Sequence, residues 1–164
     1  MIEPLIASLL FCALLSWAAF SDVRTMLIPN RIPLLLAASF PLAALWCGMP
    51  VSAIGLHLGV GAVALGLCFL MFQGGVMGGG DAKLIAAAAV WTGGAALAPF
   101  LFGMCLAGGL LALALILGRK AAAAGMPAPG VFHRLLLQET HAPYGVAIAA
   151  GGLYAAARLP LFSL

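Results

Sequence analysis

Apolar residues run through this chain in stretches of membrane-spanning length, and the charged positions fall between them. Residues 4–21, 32–80, 84–118 and 140–157 carry no Asp, Glu, Lys or Arg. One helical crossing needs about 20 apolar residues. The first and last stretches therefore hold one span each and the two middle ones two each. Cys47-Gly48-Met49-Pro50 divides the first long stretch and Thr92-Gly93-Gly94, with Pro99 beyond, divides the second. Glycine frees the backbone at such points and proline removes a donor. The pattern predicts spans over 4–22, 32–47, 51–72, 82–98, 99–118 and 142–159. The expected fold is an all-α integral membrane protein, a bundle of six transmembrane helices forming one domain over 1–164.

Composition strengthens this picture. Hydrophobic residues make up 65% of the chain and charged residues 7%, against about 25% charged in soluble domains. Basic residues then set the orientation, because loops rich in Lys and Arg stay on the cytoplasmic side. Arg24, Arg31, Arg119, Lys120 and Arg134 fall in the loops after spans 1, 3 and 5, Lys83 lies at the edge of one of them, and Arg158 lies across the membrane. The N-terminus is expected outside. Glu3 and the long apolar run argue for an uncleaved first span rather than a signal peptide. The net charge of +3 follows from this topology, and no nucleic-acid partner is expected. Within 119–141, the segment Val131–Glu139 has two readings, a short amphipathic helix on the inner membrane surface or a mobile connector.

The candidate chemistry is acidic. Asp22 and Asp81 are the two aspartates of the chain, and each sits where an apolar run meets an expected cytoplasmic loop. An acid at membrane depth is costly and marks a functional site by default. Asp81 has the alternative role of a helix N-cap, but Gln73–Gly80 holds five glycines in eight residues, more than a cap requires. Glycine at Gly78, Gly79 and Gly80 is expected to give the backbone access to conformations closed to other residues, including close approach to a bound peptide. Asp22 ends a helix, where the dipole disfavours an anion, and the small residues Ala18 and Ala19 on its face leave room for a neighbouring helix. Two acids meeting at one face would share a proton, as in an aspartic protease.

Other groups play lesser parts in this reading. Lys83, two residues from Asp81, does not share its helix face and reads as an interfacial lysine, with contact to an acidic substrate group as its functional alternative. Arg24 and Arg31 are candidates for the same contact. His57 lies too far along span 3 to join the aspartates and is expected to hydrogen-bond between helices. Cys12, Cys47, Cys68 and Cys105 are scattered singly, so no metal site of the usual spacing is expected, and no cofactor.

The segments Asp22-Val23-Arg24-Thr25-Met26-Leu27-Ile28-Pro29-Asn30 and Gly78-Gly79-Gly80-Asp81-Ala82-Lys83 resemble the paired motifs of the type IV prepilin leader peptidases, which are GxGD membrane aspartic proteases. Pro143-Tyr144-Gly145 is similar to the entry of that family's last span. Some relatives carry an aspartate where this chain has Asn30, which leaves Asp22 as the first acid. The resemblance implies a bacterial inner-membrane enzyme that cuts a basic leader from a prepilin or pseudopilin helix. It implies Asp22 and Asp81 as the catalytic dyad, and the substrate helix and membrane lipid as partners. Larger members add a cytoplasmic domain and N-methylate the new terminus; the short form resembles the Tad/Flp-type peptidases, for which cleavage without methylation is expected. Two rivals remain at this point: a small proton- or ion-coupled transporter, and a non-catalytic pilus assembly subunit.

Overall fold

The structure is a computed structural model that describes residues 2–124 and 142–159. The described residues include five helices: α1 (Ile2–Thr25), α2 (Arg31–Trp46), α3 (Val51–Gln73), α4 (Gly79–Ala123) and α5 (Tyr144–Ala156). The expected amphipathic segment Val131–Glu139 lies outside them.

The helix ends follow local chemistry. α1 stops where Met26 enters the left-handed region at φ 54°, with its N–H donating to the Asp22 carbonyl at 2.8 Å. The Ser21 hydroxyl donates to the Leu27 carbonyl at 3.0 Å, tying down the reversal. α2 ends on Gly48 at φ 80°, with Pro50 starting the next helix. α3 ends in the glycine loop, where Gly75 takes φ 69°.

The expectation of six separate spans requires correction. The fourth and fifth are one 45-residue helix, interrupted only at Gly93 with φ 54° and ψ −161°. α1, α3 and α4 are each long and apolar enough to cross a membrane, whereas α2 and α5 are shorter apolar helices. Nevertheless α4 is not one rod. Asp81 and Ile85 line the same cavity as Met104 and Cys105, although a straight helix at about 1.5 Å per residue would set them some 30 Å apart. The chain doubles back at Gly93 into a first arm, 79–92, and a second arm, 94–123. That conformation is closed to residues with a Cβ, so glycine replaces the loop that would otherwise join two helices.

Cross-contacts give the directions. Phe11 packs on Trp91 at 5.3 Å between ring centroids while Asp22 and Asp81 line one cavity, so the first arm of α4 runs antiparallel to α1. Gly152 faces Phe11 and Leu15 while Gly145 faces Asp22, so α5 also runs antiparallel to α1. The ends of α1 and α3 and the starts of α2, α4 and α5 therefore gather at one end of the bundle, and both aspartates lie there.

The core centres on Trp91, fully buried with Phe11, Phe40, Phe100, Leu15 and Leu36. Its indole N–H donates to the Leu36 carbonyl at 2.7 Å, as a buried Trp requires. The first arm of α4 ends at Thr92, so its last carbonyls need partners other than the backbone N–H groups of a continuing helix. His57 Nδ1 supplies one to Val90 at 2.8 Å, and the Thr92 hydroxyl supplies one to Ala89 at 3.3 Å. The expected interhelical role of His57 is thus observed, and its ring also stacks on Phe40 at 4.8 Å. Elsewhere glycine and alanine let the helices meet: Gly103 lies against Gly151, and Gly61 against Ala86 and Val90. Close approach of this kind favours helix association in lipid. The outward surface is apolar, with Leu5, Leu9, Leu34, Leu56 and Phe102 exposed.

Gly93→Ala should destabilise the fold by about 3 kcal/mol or more, because the backbone conformation is closed to alanine and the new Cβ runs into the His57 ring. Gly94→Ala, with open space at its Cβ, should change stability by no more than about 1 kcal/mol. Thermal unfolding of the two variants in detergent measures the difference, and equal midpoints would contradict a turn made at Gly93.

Candidate active site

Asp22 sits in the last turn of α1, and the small residues Ala18 and Ala19 on its face leave room for another helix to reach it. Ala18 is fully buried and Asp22 itself only 6% exposed. Against them comes the first turn of α5: the Gly145 N–H donates to Asp22 Oδ2 at 2.7 Å. Pro143 is the N-cap of α5, so the carboxylate lies at the helix start, where free N–H groups and the positive dipole end favour an anion. The dipole disadvantage of an acid at the end of α1 is offset by the start of α5. Gly145 has no substitute here, because a Cβ would stand 2.9 Å from Asp22 Oδ2 and 3.0 Å from Asp22 Cβ.

Asp81 approaches from the first turn of α4. The N-cap of that helix is Gly78, with no side-chain cap bond, so the capping role open to Asp81 in the sequence is not the one it takes. Its carboxylate folds back over the Gly78 backbone, with Oδ2 3.0 Å from where a Cβ on Gly78 would be. Both aspartates line one cavity of about 760 Å³, together with Met26, Met71, Gly75 to Gly78, Met104 and Tyr144.

The glycine run serves close approach rather than unusual backbone. Left-handed φ in this loop is confined to Gly75, and Gly79 and Gly80 are already helical. The expected conformational freedom at 78–80 is replaced by a steric reason at each position. Gly78 makes room for Asp81, Gly79 packs on the Phe72 ring, and Gly80 leaves 3.2 Å between a would-be Cβ and Ile28 Cβ. Together these contacts set the first turn of α4 against the 26–30 connection.

The basic candidates do not line this cavity. Lys83 Nζ donates to Asn30 Oδ1 at 2.8 Å, and both residues line a separate apolar groove between α2, α3 and α4. The Arg24 guanidinium stacks over Phe20 at 4.6 Å and that of Arg31 over Trp17 at 5.4 Å. Among the described residues no three His, Cys, Asp or Glu side chains converge as a metal site would require. Residues that sequence reasoning did not place at the site are Gly145, Tyr144 and the cavity methionines. A signal for Gly145 existed: an acid at the end of α1 needs a donor, and Pro143-Tyr144-Gly145 opens a helix at the same membrane face.

Gly145→Ala should push the Asp22 carboxylate out of place and lower peptide cleavage about a hundredfold, the scale of a 1 Å misplacement. Gly109→Ala, where a Cβ meets open space, should leave cleavage unchanged. Steady-state rates with matched expression decide this, and equal rates for the two variants would remove Gly145 from the site.

Comparison with curated proteins and with solved structures gives no match. The sequence model of the type IV leader peptidase family matches residues 9–113, a span that includes Asp22, the glycine run, Asp81 and the α4 turn at Gly93. The match covers more than half of the chain, and with the geometry above it leads to one assignment: the protein belongs to the type IV leader peptidase family and is a hydrolase.

Proposed function

We propose that this chain is a membrane aspartic endopeptidase that removes the leader from type IV or Flp-like prepilins with an Asp22/Asp81 dyad. The observation that carries the proposal is that the two aspartates, on helices far apart in sequence, line one cavity at one end of the bundle. Two carboxylates so placed cannot both ionise cheaply, so the pair holds one proton. Asp22 already accepts the Gly145 N–H at the start of α5, an arrangement that suits the charged form. It therefore takes the role of general base, drawing a proton from a water held between the two. Asp81 keeps its proton and polarises the scissile carbonyl as general acid. The Gly78–Gly80 run brings it close enough to do so.

In the membrane, α1 enters with the N-terminus outside, and the two arms of α4 return on each other at Gly93. The distribution of Lys and Arg supports an inner-membrane protein with the dyad at the cytoplasmic face. The substrate is an apolar helix lying in the bilayer beside the bundle, its basic leader held by anionic headgroups. The position of the aspartates at helix ends argues against a transport relay, whose acids belong near the bilayer midplane.

Asp22→Asn and Asp81→Asn should each abolish cleavage of a prepilin in liposomes, with the double variant scarcely worse, because the two residues act as one unit. Proton flux through the same liposomes should be absent in wild type. Substantial turnover by either single variant at normal expression would end the dyad assignment.

The topology has its own test. In a cysteine-free background, Leu27→Cys and Val76→Cys should resist an impermeant thiol reagent in intact cells, and Val51→Cys should react. All three positions are exposed, so the membrane face alone decides the labelling. The reverse pattern would put the dyad on the wrong side for an unprocessed cytoplasmic leader.

A further inference from the structure

Four methionines line the aspartate cavity. The chain has seven methionines, and five of them, Met26, Met49, Met71, Met77 and Met104, are among the described residues. All but Met49 line this cavity, and Met49 is a core residue at 5% exposure. The four come from separate elements: the turn after α1, the last turn of α3, the glycine loop and the second arm of α4. Their meeting is therefore a product of the fold and not of a local run in the sequence.

The lipid-facing surface shows a different choice. Among the described residues, the large exposed apolar side chains other than Met71 are Leu, Ile, Val, Phe, Trp and Tyr. Leucine serves a lipid-facing helix, so concentration of methionine at the cavity needs another reason. Methionine is unbranched, has three rotatable bonds and a polarisable sulfur, and fits itself to irregular neighbours. Surfaces rich in methionine accept partners of differing shape by repacking. A cavity of about 760 Å³ also falls within the range of roughly 300–1,000 Å³ typical of ligand sites.

We propose that Met26, Met71, Met77 and Met104 seat the apolar side chains that flank the scissile bond, and that this pliable wall lets one dyad act on substrates that differ in shape there. The inference rests on the peptidase reading above. The aspartates act on the peptide group, which every substrate shares, and the methionines meet what varies. Met26 and Met77 occupy the turns on either side of the dyad, while Met71 and Met104 reach the cavity from helices.

The test uses the full chain in liposomes with a set of prepilin helices that differ only in the residue after the cut: Phe, Leu, Trp or Ala. The readout is the spread of kcat/KM across the set, which a loss of structure would not alter. Wild type should keep the spread within about tenfold. Met71→Ile with Met104→Ile replaces soft side chains by β-branched ones with restricted χ1, and should widen it to about a hundredfold, the scale of apolar-pocket discrimination. Met71→Leu with Met104→Leu, unbranched at Cβ, should widen it less and guards against failure of the Ile pair to fold. A common drop for all four substrates in both pairs would overturn the inference and make these residues merely structural. Wild-type cleavage that already discriminates a hundredfold would overturn it while leaving the peptidase reading intact. No cleavage of any of the four by wild type would overturn the peptidase reading and this inference with it.

Discussion

The hydrogen bond from the Gly145 amide to Asp22 joins the first helix of the chain to the last one, and the bundle is arranged around it. An acid buried among apolar helices needs a donor, and side chains that could donate are scarce in a sequence with 7% charged residues. A helix start supplies N–H groups at no cost in composition. It works only if α5 arrives with its first turn against the last turn of α1. That requirement fixes α5 antiparallel to α1 and excludes a side chain at position 145. The acid is at once the chemical group of the site and the point on which α5 docks.

The remaining contacts serve to bring the second acid to the same place. Lipid gives no hydrophobic drive to helix association, so packing must come from close fit. The fit here is made at glycines: Gly61 against the first arm of α4, Gly103 and Gly151 between the second arm and α5, Gly152 against Leu15. Trp91 fills the centre, and its indole N–H is satisfied by a helical carbonyl of α2. Asp81 begins the helix that carries Trp91, so a rigid centre holds the acid ten residues away along the same arm. Gly80 packed on Ile28 closes the arrangement at the site end.

Much of this was legible in the sequence, because charge in an apolar chain is informative. Asp22 and Asp81 stood out through their setting, and the small residues Ala18 and Ala19 marked the face where another helix comes close. Helix boundaries followed Gly48, Pro50 and Gly74–Gly75. The α4 turn differs from the expected loop for a physical reason: Thr92-Gly93-Gly94 marks a break, but a loop and one glycine in a conformation closed to other residues leave the same sequence pattern. The glycines at 78–80 were assigned backbone freedom when they provide space, since composition does not reveal what a missing Cβ would touch. Lys83 was correctly separated from Asp81 by helical phase, yet its partner Asn30 is a tertiary contact that no local pattern announces. The methionines of the cavity lie far apart along the chain, and only the fold gathers them.

The single-residue turn at Gly93 makes α4 a ruler. A loop between two helices would absorb a lost or gained residue, whereas here each residue added to the first arm rotates everything before it by about 100° and lifts it by about 1.5 Å. One insertion between Lys83 and Val90 would swing Asp81 away from Asp22 while Trp91 stayed in the core. One between Gly94 and Met104 would instead turn Met104 and Cys105 out of the cavity. The length of each arm is therefore as much a part of the site as the residues that line it. Homologous chains should keep the count from the acid to the turn, with length changes confined to the connections between helices.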